Sequence, residues 1–417
     1  MKLGISKIKI TPQNPVRLCG YATRTSNFEE VKEDIYIRIH AYNKDNKDIL
    51  FIYGDLLWWG SDFVKNIKSD LIKKFPLEKN NIFFIASHNH SGPPTSNLFT
   101  SPLETYDKKY SEFLKQKVVE GIKKALENME EVTGEIYYGK SNLNVFRRVI
   151  VDGKVTMAPN YDIEVDRNLT IVGLYRKDHT LKGLIIHYPC HANISNENYI
   201  QPDYPGVALR MLDEKFPSSV SIFLQGCTAD IRPNFVLGNK FVSGTYKEVI
   251  KFATSFYEDC CKTLKTDPLL LDFNLKTSKK EVILYEENLK TLDEIILMLK
   301  SEVEVEREWA KKVLEKDNRN YEIMEINKID FADKISFLTF NAEVSQYYSK
   351  FAKSLDKNII SMAYTNGMIG YICTKKQISE GGYEPEGSAL YFALSGTYKP
   401  EIEEKIHNNI KKLIRGE

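Results

Sequence analysis

The chain has 417 residues, enough for two or three domains or for one large α/β unit. Its 58 Lys and Arg balance 57 Asp and Glu, a formal net charge of +1, which excludes a nucleic-acid binder resting on bulk basic charge. With 42% hydrophobic and 28% charged residues, the composition is that of a globular protein and not of a disordered one.

In chain order, Met1 to Ile10 alternates like a strand and lacks the apolar centre of a secretion signal. No stretch approaches the roughly 18 apolar residues of a membrane span. A cytoplasmic protein is therefore expected. Strand patterns follow at Ile35 to Tyr42, Ile49 to Gly54, Ile82 to Ser87, Gly134 to Gly139, Thr170 to Arg176, Gly183 to His187, Val220 to Leu224 and Ile335 to Phe340. Tyr110, Phe113, Leu114, Val118, Ile122, Ala125 and Leu126 recur at helical spacing. So do Leu292, Ile295, Ile296, Leu299, Val303, Ala310 and Val313, which predict one charged helix of roughly seven turns. The polar stretch from Lys316 to Asn320 reads as a loop and not as a domain boundary. The alternation predicts a mixed α/β (α+β) fold of layered sheets flanked by helices. The six cysteines, Cys19, Cys190, Cys227, Cys260, Cys261 and Cys373, form no Cys-x-x-Cys pair and are expected as thiols.

Four of the seven histidines fall in two clusters, each after an apolar strand. The first is Ser87-His88-Asn89-His90-Ser91-Gly92-Pro93. Residues two apart on a strand share a face, so His88 and His90 can meet at one point; one can equally cap the loop while the other is solvated. The second is His187-Tyr188-Pro189-Cys190-His191. Two histidine-bearing strand ends with no cysteine pair suit a catalytic zinc, which keeps one position open. Cys190 points away from His191 on a strand and is expected in the core.

The third segment is Cys227-Thr228-Ala229-Asp230-Ile231-Arg232-Pro233-Asn234, a strand running into a polar turn. The turn and Arg232 can hold an anion, or Asp230 and Arg232 can pair with each other. A thiol nucleophile at Cys227 is a further reading.

These three segments, in this order, resemble the N-terminal catalytic domain of the neutral/alkaline (non-lysosomal) ceramidase family. The likeness runs from Ile10-Thr11-Pro12 and Gly20-Tyr21 to about Tyr383 and is weakest from 286 to 320, a helical insertion. It implies a single zinc hydrolase domain over 1–417, cleaving an amide (N-acyl) bond of a small-molecule substrate through zinc-activated water. It also implies particular residues. The zinc ligands are His88, His191, Glu343 in Asn341-Ala342-Glu343, and Tyr371 in Gly370-Tyr371-Ile372-Cys373-Thr374. His90 is a catalytic histidine and Tyr383, followed by Glu384, a second active-site tyrosine. Arg147 faces the site, with Arg148 its competitor, and His187 has no role. Two features depart from the family. Arg232 stands where the family has its key serine, and neither the secretion signal nor the C-terminal immunoglobulin-like domain has a counterpart. The expectation is a divergent member acting on a small polar or anionic substrate. An esterase or lactonase on the same site, a Cys227 thiol enzyme and a silent ceramidase-like binding protein are the alternatives.

Overall fold

The computed structural model describes residues 1–316 and 319–417. Three five-stranded sheets organise it. The first has the order Ile82–Ala86, Lys47–Gly54, Tyr36–Lys44, Lys2–Lys9, Glu130–Glu131. The second runs Val220–Gln225, Leu181–Tyr188, Asn168–Tyr175, Thr133–Lys140, Leu269–Leu271. The third runs Ile359–Met362, Ile335–Phe340, Tyr321–Ala332, Phe273–Glu287, Thr397–Tyr398. All eight strands expected from the sequence are present.

Each sheet is antiparallel except for one parallel pair at its edge. The pairs are Lys47–Gly54 with Ile82–Ala86, Leu181–Tyr188 with Val220–Gln225, and Ile335–Phe340 with Ile359–Met362. These strands are apolar runs covered on both faces; all five residues of Ile82–Ala86 and all six of Ile335–Phe340 are buried. The strand Tyr36–Lys44 shows how alternation serves two cores. Ile37, Ile39 and Ala41 pack with Leu114, Val118 and Ile122 of the helix Lys108–Glu127, whereas Tyr42 joins Phe51 and Tyr53 against the second sheet. That helix starts where expected because the Asp107 side chain accepts the Tyr110 N–H at 2.7 Å.

The expected seven-turn helix is instead two, Leu292–Met298 and Glu304–Leu314. Ser301 breaks it. Its Oγ accepts the Val303 N–H and donates to Glu306, while its carbonyl accepts from Arg307. A serine that satisfies backbone groups locally competes with a continuing helix. The loop expected at 316–320 includes residues 317 and 318, which lie outside the described residues. Among the described residues no helix is long and apolar enough to cross a membrane.

Candidate functional site

The C-terminal ends of the three parallel pairs meet. His88 follows Ile82–Ala86 with a left-handed φ of 63°, a conformation that histidine adopts more readily than most residues. The Ser87 and Asn89 N–H groups donate to the Gly54 and Leu56 carbonyls and fix this turn. His191 follows Leu181–Tyr188. An isolated bridge between Asn89 and Ala192, with the His90 N–H on the Ala192 carbonyl at 3.1 Å, ties the two histidine turns together. Glu343 follows Ile335–Phe340 and pairs in parallel register with Tyr371. Three sheets thus deliver residues that lie 103 positions (His88 to His191) and more apart.

The side chains converge. His88 Nε2 lies 2.9 Å from His191 Nε2 and 3.2 Å from His90 Nε2. Glu343 places Oε2 3.5 Å from His88 Nε2 and Oε1 3.3 Å from His191 Nε2. His88 and His191 are each 1% exposed, and His90 is half-buried. The opposite ring nitrogens determine the tautomers. His88 Nδ1 faces the Leu57 carbonyl, His191 Nδ1 the Thr228 carbonyl and His90 Nδ1 the Gly20 carbonyl, at 3.1, 3.1 and 3.3 Å. A carbonyl only accepts, so each Nδ1 carries the hydrogen and each Nε2 a lone pair. Burial pushes all three histidines below their ordinary range, His88 to about 3, which keeps them neutral.

Three lone pairs and a carboxylate oxygen pointing at one another repel unless an electrophile lies between them. Glu343 Oε1 has no hydrogen-bond donor among the described residues. Burial raises the Glu343 carboxyl to about 8, with Arg147 pulling the other way, so a cation at this spot would favour its ionised form. His88, His90 and His191 form a group whose ligand atoms all lie within 4.8 Å, and the site fits a metal ion.

Arg147 is buried, donates through Nε to Glu384 at 2.8 Å and lies 5.5 Å over the Tyr371 ring. Burial opposes its charge, but Tyr371, Glu384 and Glu343 outweigh burial and keep it cationic. Arg148 points elsewhere, onto Glu384, Glu380 and the Gly381 carbonyl. Tyr383 stands at the rim, 39% exposed, its ring 5.6 Å from that of Tyr371. Arg232 does not pair with Asp230, which instead accepts from Ser345, the Gln346 N–H and Gln377. It lies over the Phe241 ring at 4.7 Å, Nη1 3.7 Å from Met157 Sδ, and is close enough to lower the proton affinity of His90 and His191. Cys227 is buried and burial pushes its thiol far up, so no thiolate is available there. Cys190 is in the core, as expected, and His187 Nε2 faces the Ser361 carbonyl away from the cluster.

Three contributors escaped the sequence reading. Tyr364 stacks on His88 at 4.1 Å and shares a hydrogen bond with Thr228 Oγ1. Trp58 lies 6.2 Å from His88 and is held by Glu104 through Nε1. Arg24, buried, holds the Cys19, His90 and Glu197 carbonyls. None of the three was singled out in the sequence, where Tyr364 and Trp58 read as core aromatics.

The fold and the gathered strand ends define the class, a layered α/β protein with a buried histidine cluster able to hold a metal. Residues 1–267 match the sequence profile of neutral/alkaline non-lysosomal ceramidase, N-terminal, and the chain belongs to that family. The fold is that of the neutral ceramidase from Pseudomonas aeruginosa, with a TM-score of 0.78 at 15% identity over 99% of this chain and 74% of that one. A ceramidase complexed with C2 superposes equally, with a TM-score of 0.78 at 14% identity and the same coverage. No curated protein matches the chain.

Proposed function

We propose that the chain is a zinc-dependent hydrolase of an amide (N-acyl) bond in a small polar or anionic substrate. The observation that carries this reading is the meeting of three neutral imidazole Nε2 lone pairs with a buried carboxylate. Nitrogen and oxygen donors without thiolate suit zinc in a catalytic setting. His88, His191, Glu343 and Tyr371 would hold the ion. When bound, it would supply Lewis acidity toward a carbonyl and lower the pKa of water.

The chain's own groups have distinct tasks. His90 is the most open histidine of the cluster and is neutral, so its Nε2 can take a proton and return it to the leaving amine. The Tyr383 hydroxyl is protonated at neutral pH, as is usual for a tyrosine, so it can act as a hydrogen-bond donor to the developing oxyanion. Arg147, fixed by Glu384, adds a cation beside that oxygen. Arg232 has no carboxylate partner among the described residues, and its guanidinium is free to take an anionic group of the substrate.

Elemental analysis is expected to find about one zinc per chain, lost in His88→Ala and His191→Ala. His90→Ala is expected to keep the metal and lose N-acyl hydrolysis by about a hundredfold. Full zinc in both ligand variants would overturn the assignment. Arg232→Ala is expected to raise KM for an anionic N-acyl substrate with kcat nearly unchanged. Matched amide and ester substrates decide the bond, and faster turnover of the ester would make the enzyme an esterase or lactonase.

A further inference from the structure

The helix Ser61–Lys74 buries Phe63, Val64, Ile67, Lys68 and Leu71. Four of these are apolar at helical spacing, and the fifth is a lysine in the apolar stripe. Lys68 is 6% exposed, and among the described residues its side chain makes no hydrogen bond and no ion pair within 4 Å. Glu325 is its nearest counter-charge but lies beyond ion-pair distance, so this mostly buried lysine keeps its ammonium open to a direct anionic partner.

Lys68 lines a cavity of about 760 Å³ between this helix, the long strands Phe273–Glu287 and Tyr321–Ala332, and the segment 368–394. That volume lies within the roughly 300–1,000 Å³ of small-molecule sites. None of His88, His90, His191, Glu343, Tyr371 or Arg147 lines it. Its carboxylates already have cationic partners, Glu281 with Lys279 and Glu315 with Lys312 among them. Glu325 accepts from Lys279, Asn327 and Asn366, and Glu322 accepts from Lys316 and Arg319. Lys65 and Lys79, both exposed, add unpaired positive charge. The rest of the wall is mixed: Val64, Phe99, Ile323, Ile369, Phe392 and Leu394 form its apolar part, beside Ser61 and the amides of Asn80, Asn327, Asn341 and Asn366.

We infer that this cavity is a second binding site, for a monoanionic amphiphile whose carboxylate meets Lys68 and whose apolar tail lies on the Phe99, Ile369 and Phe392 wall. A single buried ammonium matches one negative charge. A phosphate dianion is better served by an arginine fork, and the one arginine lining the cavity, Arg319, is engaged with Glu322 and the Tyr321 carbonyl. Burial also lowers the Lys68 ammonium to about 8, against the pull of Glu325, so it is still protonated at neutral pH. The inference stands apart from the hydrolase reading, since no residue of the metal cluster takes part.

Calorimetric titration of the full chain tests it, with dodecanoate below its micelle concentration, dodecanol and dodecyl phosphate as probes. Dodecanoate is expected to bind one-to-one, at least about tenfold more weakly to Lys68→Met and nearly normally to Lys68→Arg. Dodecanol is expected to bind poorly to all three. Equal dodecanoate affinity in wild type and Lys68→Met, or no saturable binding, overturns the site. Dodecyl phosphate binding about tenfold tighter than dodecanoate overturns the carboxylate assignment in favour of a phosphate head. A second readout leaves the lysine in place. After reductive ¹³C-methylation, the Lys68 signal, assigned by its absence in Lys68→Arg, is expected to shift on adding dodecanoate, and an unmoved signal overturns the proposal.

Discussion

Gly20 shows how narrow the tolerances around the histidines are. Its φ is +92°, and a Cβ there would lie 2.6 Å from His90 Nδ1. Its carbonyl is also the acceptor that sets the His90 tautomer. Gly20→Ala therefore meets backbone strain and a clash together. We expect turnover to fall at least about tenfold as the ring is displaced, with bound metal unchanged. Normal turnover in Gly20→Ala would show that His90 does not need this seat. Tyr364→Phe makes a milder change, because the ring stays on His88 while the bond to Thr228 Oγ1 is lost. It is expected to lower stability by about 1 kcal/mol, read from the denaturation midpoint at constant slope.

At the scale of elements, Asp230 joins two parts of the site. It accepts the Gln346 N–H at 3.0 Å at the start of the helix Gln346–Leu355, the Ser345 hydroxyl and the Gln377 amide. Its carboxylate thereby holds the segment just after Glu343 against the strand Ile231–Pro233. Asp230→Ala would leave three buried donors without an acceptor, and we expect a loss of about 3 kcal/mol, with Asp230→Asn recovering part of it. A loss below about 0.5 kcal/mol in chemical denaturation would contradict that role. The strands were legible because apolar runs and alternation survive any context. The long pair Phe273–Glu287 and Tyr321–Ala332 was not. Lys276, Lys279, Lys280 and Glu281 separate two short alternating stretches, buried Phe273 and Leu275 at one end and Val282 and Leu284 at the other, where the exposed partners Ile283 and Tyr285 are themselves apolar. His88 and His191 were legible as strand ends with ligand chemistry. Tyr364 was not, because its place over His88 depends on a left-handed turn, φ 52°, after Ile359–Met362. Lys68 was hidden by its helix, whose outer face is rich in lysine, so one more inside it raised no signal.

For the whole molecule, acid sensitivity is built into the sheet interfaces. His40 is fully buried between the first and second sheets, with Nε2 2.8 Å from the Val220 carbonyl. Burial lowers its pKa to about 4 from an ordinary 6.5. Between these values the unfolded chain binds the proton and the folded one does not, so stability is full above about 6.5 and falls as the pH drops toward 4. The contribution is at most roughly 3 kcal/mol. Asp55 and Asp203, raised by burial to about 6, act in the opposite direction. Comparison with His40→Gln isolates the histidine. The variant is expected to show a flatter loss of melting temperature between pH 6.5 and 4, and parallel curves would refute the assignment.

The delivery of site residues by three successive sheets has a consequence for biosynthesis. His88 and His191 leave the ribosome well before Glu343 and Tyr371, because the third sheet is the last to be made. Every strand of the first two sheets finds its partners within residues 1–271, although some pairings, such as Lys2 with Glu131, are far apart in the chain. That portion holds all three imidazoles without the carboxylate. The mixed nitrogen and oxygen donor set is therefore complete only once the third sheet has been made.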